Sequence, residues 1–338
     1  MNPVRFAING LGRIGRALVR IARERPELEL VAVNDQADAP VLARLLAHDT
    51  LHGRFPGSVS AEADALVLDG RRVPLSRASR PAEIPWRESE PWLVVESTGQ
   101  FRSRAEAAAH LGGPVEKVLV SAAAPGVDAT FCVGINHHRY DPARHAVISN
   151  ASCTTNCLAP VAAVLERRFG IEHGLMSTVH CYTNSQRLMD FSHPDPRRAR
   201  AAAMNIVPTT SDAVEAIGEV MPELAGRIGG IAYRVPVPDG SLIDLTVRLR
   251  REAPLEELAA AFREAARGEL AGILATTDEE LVSSDFIGDP HSATVDLPLL
   301  TVVDRRLFRV VAWYDNEWGY ANRLADLLAH LGRRRDDA

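Results

Sequence analysis

Hydrophobic and polar positions follow two different patterns along the 338-residue chain. In the first half, short β-branched runs alternate with stretches of helical period, which is typical of a doubly wound parallel sheet. The pattern predicts strands at Val4–Asn9, Leu28–Asn34, Trp92–Glu96, Lys117–Ser121 and Ala146–Ser149, with helices at Ile14–Glu24 and Ser103–Leu111. The first half is therefore predicted to be an α/β domain.

Apolar and polar residues alternate singly along the β runs of the second half, as in antiparallel strands with one solvated face. Strands are predicted at Gly174–Cys181, Gly229–Val235, Leu242–Arg250 and Leu307–Tyr314, and helices at Cys153–Phe169, Asp212–Val220, Pro254–Gly268 and Gly319–Leu331. Residues Leu188–Ile206 show no clear period and are too long for a plain connection, so they form a candidate functional loop. We expect an α+β domain with a mostly antiparallel sheet.

Length and composition narrow the class of protein. The chain exceeds the usual size of one domain, and its 46% hydrophobic and 24% charged residues are typical of soluble globular proteins. The net charge of −6, with one short basic run at Arg333–Arg335, predicts no nucleic-acid partner. The sequence contains neither a long apolar span nor the apolar core of a secretory signal, so we expect no membrane partner and a cytoplasmic location.

A glycine motif follows the first predicted strand and opens the first predicted helix. Gly10, Gly12 and Gly15 form G-x-G-x-x-G, which allows a tight turn and close approach of a pyrophosphate to a helix N-terminus. Asp35 ends the next predicted strand, where a carboxylate can accept from ribose hydroxyls and repels a 2′-phosphate. The motif therefore predicts a Rossmann-type domain that binds NAD.

Two of the four cysteines lie within the segment SNASCTTNCLAP, residues 149–160. If its hydroxyl side chains open a helix, Cys153 lies at the helix N-terminus, where a thiol is activated as a nucleophile. His180 ends a predicted strand and is the candidate base. The C-x3-C spacing of Cys153 and Cys157 is an alternative signal for a metal site, but no second Cys/His pair at zinc-finger spacing completes four ligands, so no metal is predicted. Cys157 is interpreted as a packed residue.

Motifs along the whole chain resemble the phosphorylating glyceraldehyde-3-phosphate dehydrogenases, a family that here includes an erythrose-4-phosphate dehydrogenase branch. They are NGLGRIGR, VAVND, ESTG, SNASCTTNCLAP, TVHCYTN, RRARAAAMNIVPTT, IAYRVPVP and WYDNEWGYANR. The resemblance implies an NAD-binding domain at 1–150, a catalytic domain at 151–318 with a cofactor-facing loop at 183–206, and a C-terminal helix at 319–338 that returns to the NAD domain. It also implies a homotetramer.

The implied reaction is the glycolytic oxidation of glyceraldehyde 3-phosphate to 1,3-bisphosphoglycerate through a cysteine thioester, with inorganic phosphate as acyl acceptor. In it Cys153 is the nucleophile and His180 takes its proton. The implied cofactor contacts are Gly10, Gly12, Arg13, Ile14, Gly15, Asp35, Ser121 and Asn316. The implied binders of substrate phosphate and inorganic phosphate are Ser152, Thr154, Thr183, Arg198, Ser211 and Arg234.

Several positions depart from the family pattern. Ser185 stands where the family usually has Asp, and Ser211-Asp212 stands for its usual Thr-Gly phosphate pair. A carboxylate at Asp212 faces away from the phosphate or weakens its binding. Ser192 stands where NAD-specific members usually carry Pro, which leaves NADP open as an alternative cofactor.

Other segments keep alternative functions open. Asp289–Ala293 and Tyr320–Arg323 look more like the erythrose-4-phosphate branch, whereas Tyr182-Thr183 and Ile206–Thr210 look like the glyceraldehyde-3-phosphate branch, which we favour. A paralogue with an altered acyl acceptor is a further alternative. So is a non-catalytic protein that binds NAD or senses oxidants through its thiol.

Overall fold

The computed structural model describes residues 2–336, which form two compact units. The first unit contains the chain up to Val133, His137–Ala151 and the residues from Ala321 onward. The second contains Gly134–Asn136 and Ser152–Tyr320. The expected domain limits at residues 150 and 318 lie beside these divisions.

The first unit is built on parallel strands flanked by helices. Its strands are β1 Val4–Asn9, β2 Leu28–Asn34, β3 His48–Asp49, β4 Gly53–Arg54, β5 Val59–Glu62, β6 Ala65–Leu68, β7 Arg71–Ser76, β8 Leu93–Glu96, β9 Lys117–Val120, β10 Ala129–Thr130 and β11 Val147–Ser149. Its first three helices are α1 Arg13–Ala22, α2 Ala39–Ala47 and α3 Arg104–Ala107.

Among the described residues, nine of these strands form one sheet in the order β10-β11-β9-β8-β1-β2-β7-β6-β5. Every neighbouring pair from β10 to β7 is parallel, and only β5, β6 and β7 pair antiparallel. Ile8, Val33 and Val95 have no exposed surface, because central parallel strands are covered on both faces. The predicted doubly wound sheet is confirmed, whereas the antiparallel β5–β7 ribbon was not foreseen.

The strand order reverses beside β1, since β2 lies on one side of it and β8 on the other. The carboxyl ends of β1 and β8 are Asn9 and Glu96. In doubly wound sheets, ligands bind beyond the carboxyl ends of the strands at this switch point. The glycine motif begins directly after Asn9, so it lies at that point.

The second unit has strands β12 Ile171–Cys181, β13 Val207–Thr209, β14 Ile228–Val235, β15 Ser241–Leu249, β16 Leu274–Thr277, β17 Ala293–Asp296, β18 Thr301–Val303 and β19 Leu307–Tyr314. Its helices are α4 Cys153–Phe169, α5 Ala213–Val220 and α6 Leu255–Arg267. Ile243, Leu245 and Val247 on β15 have no exposed surface, while the residues between them are more exposed. This is the alternation that the sequence predicted.

The second sheet runs β13-β14-β12-β15-β19-β17-β16, and β18 also pairs with β19. Five of its pairs are antiparallel, but β12 with β14 and β16 with β17 are parallel. The prediction of a mostly antiparallel sheet is therefore confirmed. The parallel pair of β12 and β14 has a direct consequence, because its register places Arg234 opposite His180.

Two helix predictions need correction. The predicted helix Ser103–Leu111 is α-helical only at α3, and Ala108–His110 form a 3₁₀ turn, in which His110 is fixed by buried hydrogen bonds. The C-terminal helix, α7, runs from Trp318 to Asp336 and is longer than predicted.

No helix within residues 2–336 combines the length and apolar character needed to cross a bilayer.

Candidate active site

The glycine motif of the first unit forms a turn that requires glycine at two positions. Gly10 has a φ of +92°, and a Cβ there would lie 2.8 Å from the Thr98 backbone nitrogen. A Cβ at Gly15 would lie 2.4 Å from the Gly10 carbonyl oxygen. Both separations are far below van der Waals contact, so a larger residue at either position would displace the backbone.

Gly12, by contrast, is exposed and has free space around it. A Cβ at Gly12 would meet no atom within 4 Å, and no side chain caps helix α1 there. Free space therefore lies beside Gly12 at the N-terminal end of α1, where helix N-termini favour phosphate groups. The turn fits the phosphate portion of a dinucleotide.

Asp35 supports the turn from the end of β2. Its carboxylate accepts from the Leu11 N–H at 2.8 Å and from the Ala37 N–H at 2.9 Å. The side chain is half-buried, and its predicted contact with ribose hydroxyls stays a prediction. Among the other predicted cofactor contacts, Arg13 pairs with Asp49 at 2.6 Å, and Ile14 and Ser121 are half-buried.

Asn316, the remaining predicted cofactor contact, lies in the second unit and is 6% exposed. Its side-chain oxygen accepts from Ser241 Oγ at 2.8 Å and from Cys181 Sγ at 3.2 Å. These bonds fix the orientation of its amide group two residues beyond β19.

Helix α4 begins at Cys153, as the hydroxyl-rich segment predicted. Ser152 is the N-cap, and its Oγ accepts from the Thr155 N–H at 3.0 Å. The sulfur of Cys153 is thereby held at the positive end of the helix dipole, and the residue is half-buried. Cys157, one turn further on, has no exposed surface and is a packed residue, as interpreted from the sequence.

His180 is the next-to-last residue of β12, and its Nε2 lies 3.4 Å from Cys153 Sγ. Its Nδ1 lies 2.6 Å from Arg234 Nη1, which also donates to the Cys181 carbonyl oxygen at 3.1 Å. Nδ1 also lies 2.9 Å from the Cys181 carbonyl oxygen, which only accepts, whereas the Arg234 guanidinium only donates. The two contacts favour opposite tautomers of the neutral ring, so Nε2 can face the sulfur as a donor or as an acceptor.

The pKa values of the two groups agree with a neutral imidazole. Burial, reinforced by the Arg234 charge, lowers the pKa of His180 to about 3. Burial raises the pKa of the Cys153 thiol, while Arg234 and hydrogen bonds from the Thr154 backbone and hydroxyl lower it. The cation that favours a Cys153 thiolate is thus Arg234, and the imidazole beside the sulfur is neutral.

The predicted phosphate-binding residues all lie in the second unit. Arg198 Nε donates to Thr209 Oγ1 at 2.8 Å, and Thr183 Oγ1 lies 2.9 Å from Ser185 Oγ. Arg234 Nε is buried and has no hydrogen-bond partner among the described residues. A buried, unsatisfied guanidinium donor fits a site for an anion.

Asp212 and Ser211 precede helix α5. Ser211 is half-buried, whereas Asp212 is exposed, and its side chain forms no capping bond with α5. An exposed carboxylate retains its repulsion for an anion at long range but is screened by water and salt.

Tyr314 lies in the group of side chains around Cys153 and His180, here called the thiol centre. It was not predicted from the sequence. It ends β19, is 1% exposed, and its hydroxyl lies 2.9 Å from Thr154 Oγ1 and 2.9 Å from Thr178 Oγ1. It links the start of α4 to strand β12, which carries His180. One sequence signal could have identified this residue: it is a tyrosine at the end of an apolar strand, directly before the polar segment DNEWG.

Comparison with known proteins covers almost the whole chain. The family model "Glyceraldehyde 3-phosphate dehydrogenase, NAD binding domain" matches residues 4–104, and "Glyceraldehyde 3-phosphate dehydrogenase, C-terminal domain" matches residues 152–316. The chain is 49% identical over 332 residues to "Glyceraldehyde-3-phosphate dehydrogenase 2" of Streptomyces avermitilis, covering 98% of this chain and 99% of that protein.

Two further relatives carry similar names. "Glyceraldehyde-3-phosphate dehydrogenase" of Streptomyces coelicolor is 50% identical over 333 residues, and "Glyceraldehyde-3-phosphate dehydrogenase 1" of Bacillus subtilis is 48% identical over 331 residues. Each alignment covers 98% of this chain and 99% of the relative. The glycine turn, the thiol centre and these matches lead to one conclusion: the chain belongs to the glyceraldehyde-3-phosphate dehydrogenase family.

Proposed function

We propose that this protein catalyses the NAD-dependent, phosphorylating oxidation of glyceraldehyde 3-phosphate to 1,3-bisphosphoglycerate. The observation that carries the proposal is the thiol of Cys153 at the N-terminus of α4, with its sulfur 3.4 Å from Nε2 of His180. The names of the relatives support the substrate, and the open glycine turn supports the cofactor.

In the proposed reaction, the Cys153 thiolate attacks the aldehyde carbon, and the carbonyl electron pair moves to the oxygen. His180 Nε2–H donates to this oxyanion and stabilises the tetrahedral adduct. When bound, NAD would supply the hydride acceptor needed to oxidise the adduct to a thioester. Inorganic phosphate then attacks the thioester, the acyl phosphate leaves, and the sulfur again accepts from Nε2–H.

The Nε2–H tautomer, which the Arg234 contact favours, makes His180 a hydrogen-bond donor during addition. The role predicted from the family resemblance, in which His180 accepts the thiol proton, stays a prediction, and the contact of Nδ1 with the Cys181 carbonyl oxygen favours it. The proposed phosphate contacts are Ser152, Thr154, Thr183, Arg198, Ser211 and Arg234. Arg234 has the clearest support, because its buried Nε–H has no hydrogen-bond acceptor among the described residues.

The proposal is tested by NADH formation from glyceraldehyde 3-phosphate with and without inorganic phosphate. We expect steady turnover only with phosphate, or with arsenate in its place, because the thioester otherwise remains on the enzyme. Steady turnover without phosphate would contradict the proposed acyl acceptor. The absence of even a single-turnover burst would favour the non-catalytic alternative.

The erythrose-4-phosphate alternative rests on the segments Asp289–Ala293 and Tyr320–Arg323. Running both sugars in the same assay separates the two substrates, since the higher kcat/KM identifies the preferred one. NADP is the alternative cofactor because of Ser192, which is exposed. Replacing NAD by NADP in that assay measures the preference directly, and we expect NAD to be preferred because of Asp35.

We further propose that the protein is a cytoplasmic homotetramer. Large apolar side chains are more than 60% exposed along and beside the loop 183–206 of the single chain: Leu188, Met189, Phe191, Met204 and Ile206. Exposed apolar patches of this kind are typical of interfaces between subunits. Sedimentation equilibrium should give four times the 36.7 kDa chain mass, and a monomer mass would contradict the proposal.

A further inference from the structure

Three polar side chains of the second unit form a hydrogen-bonded chain, here called the Arg198 relay. Arg198 lies in the loop 183–206, Asp195 lies three residues before it, and Thr209 ends β13. Arg198 Nε donates to Thr209 Oγ1 at 2.8 Å, and Thr209 Oγ1 lies 3.2 Å from Asp195 Oδ2. Thr209 is 7% exposed, whereas the other two side chains are partly exposed. The relay thus ties an arginine of the loop to the sheet.

The direction of both hydrogen bonds in the relay is fixed. A guanidinium only donates, so Thr209 Oγ1 accepts from Arg198 and gives its own hydrogen to Asp195 Oδ2. Hydrogen bonds from the Arg197 and Arg198 N–H groups hold the pKa of the Asp195 carboxyl below its usual value. The Thr209 hydroxyl and the Arg198 charge lower that pKa further. Asp195 is therefore the ionised end of the relay.

The backbone of the loop holds Asp195 in place. Asp195 Oδ1 accepts from the Arg197 N–H at 2.8 Å and from the Arg198 N–H at 3.4 Å. The Asp195 carbonyl oxygen accepts from the Ala199 N–H at 3.1 Å, which closes a turn around Arg198. One carboxylate thus fixes the backbone of Arg198 directly and its side chain through Thr209.

The relay uses one nitrogen of the Arg198 guanidinium and leaves the other two open. Nε donates to Thr209, whereas within residues 2–336 neither Nη1 nor Nη2 of Arg198 forms a hydrogen bond. The Arg198 side chain is 23% exposed, so these donors can reach a ligand. The paired N–H donors of a guanidinium match the geometry of phosphate oxygens. Arg198 is therefore oriented with its phosphate-binding donors unused.

Strand register places the relay on the same face of the second sheet as the thiol centre. β13 and β14 pair antiparallel with Thr209 opposite Ala232, and directly opposite residues share a face. Arg234 is two residues beyond Ala232 on β14 and so lies on that face as well. Arg234 Nη1 lies 2.6 Å from Nδ1 of His180, within the thiol centre. Thr209 therefore anchors Arg198 on the face where the thioester would form.

We propose that Asp195 and Thr209 are positioning residues, which aim the unused donors of Arg198 at a phosphate group of the reaction. The inference rests on the proposed function and concerns how one of its phosphate contacts is oriented. Losing one hydrogen bond to a charged group weakens binding about tenfold. The relay should therefore act on the KM for inorganic phosphate or for glyceraldehyde 3-phosphate. It should leave the KM for NAD unchanged, because the phosphates of NAD are proposed to bind at the glycine turn.

The test compares the two carboxylates of the loop 183–206 in steady-state kinetics. Asp195→Asn keeps an acceptor for the turn but sets a donor against the Thr209 hydroxyl, so one of the two phosphate KM values should rise about tenfold. Asp190→Asn is the matched control, because Asp190 also pairs with an arginine of the loop, Arg200, at 2.9 Å. Each variant removes one negative charge, which by itself lowers the KM for an anion. The control should therefore show an equal or lower KM.

Two variants of Thr209 test the relay from its other end. Thr209→Val removes the hydroxyl at nearly constant shape and should raise the same KM about tenfold. Thr209→Ser keeps a hydroxyl and should recover most of the wild-type value. Unchanged phosphate KM values in Asp195→Asn and Thr209→Val would mean that the relay only holds the loop, and would overturn the proposal. An equal rise in Asp190→Asn would also overturn it. If Thr209→Val does not fold, the comparison of Asp195→Asn with Asp190→Asn decides.

The wild type separates this inference from the proposed function. A wild type that forms no NADH from glyceraldehyde 3-phosphate would refute the proposed function. Broadening of the ³¹P NMR line of inorganic phosphate would then measure phosphate binding to the same variants without turnover. Weaker binding to Asp195→Asn than to Asp190→Asn would still support the relay, and equal binding would overturn it.

Discussion

Replacing His180 by Asn should make the protein less sensitive to acid. The pKa of His180 is lowered from 6.5 to about 3, by burial and by the Arg234 charge. The unfolded chain therefore takes up a proton near pH 6.5, while the folded protein takes it up only near pH 3. The stabilising effect of the neutral imidazole is fully present above pH 6.5 and is lost as the pH falls toward 3.

The size of the effect follows from the two pKa values. Lowering the pH from 7.5 to 5.0 shifts the folding equilibrium toward the unfolded chain by a factor of about 30. This corresponds to a loss of about 2 kcal/mol in the free energy of unfolding. Urea unfolding at pH 7.5 and 5.0 measures this quantity. The wild type should lose about 2 kcal/mol more across this range than His180→Asn does. His173→Asn, an exposed position on the same strand, is the matched control and should behave as the wild type.

Two outcomes would refute the reasoning. Equal losses in the wild type and His180→Asn would mean that the pKa of His180 is not lowered by folding. A smaller loss in the wild type would mean that His180 is protonated in the folded protein and pairs with the thiolate as an imidazolium. The second result would return His180 to the role of proton acceptor.

Five other substitutions test the site at three separate points. Gly12→Ala should weaken NAD binding about tenfold with little change in melting temperature. Gly15→Ala should lower the melting temperature, because its Cβ would meet backbone atoms. NAD titration measures the first effect and calorimetry the second. Cys153→Ser should lower turnover by at least about a thousandfold, while Cys157→Ser keeps turnover but loses about 1–2 kcal/mol in urea unfolding, since it buries a hydroxyl. Asp212→Asn should lower the KM for phosphate about threefold at low salt and less at high salt, and an unchanged KM would show that this carboxylate does not act on the anion.

Elements whose signal is local were predicted closely from the sequence. Strands β1, β2 and β19 and helix α4 begin and end at the predicted residues. In each case a continuous apolar run or a hydroxyl-rich start defines the element without reference to the rest of the chain. Cys153 at the first position of α4 follows from the same local reasoning, because Ser152 supplies the N-cap.

Features that depend on distant partners were not predicted. The parallel register of β12 and β14 places Arg234 opposite His180, so that Arg234 Nη1 lies 2.6 Å from His180 Nδ1. Helix α3 stops early because His110 is bonded to Glu96. Alternation of apolar and polar residues gives the faces of a strand but neither its neighbour nor its register, so these contacts were beyond sequence reasoning.

The central claim is that Cys153 carries the substrate as a thioester that only phosphate releases. Mass spectrometry after mixing the protein with glyceraldehyde 3-phosphate and NAD, without phosphate, tests it most directly. We predict an acyl adduct on the peptide that contains Cys153, one NADH per site, and loss of the adduct when phosphate is added. NADH formation with an unmodified Cys153, or an adduct that phosphate leaves in place, would contradict the account.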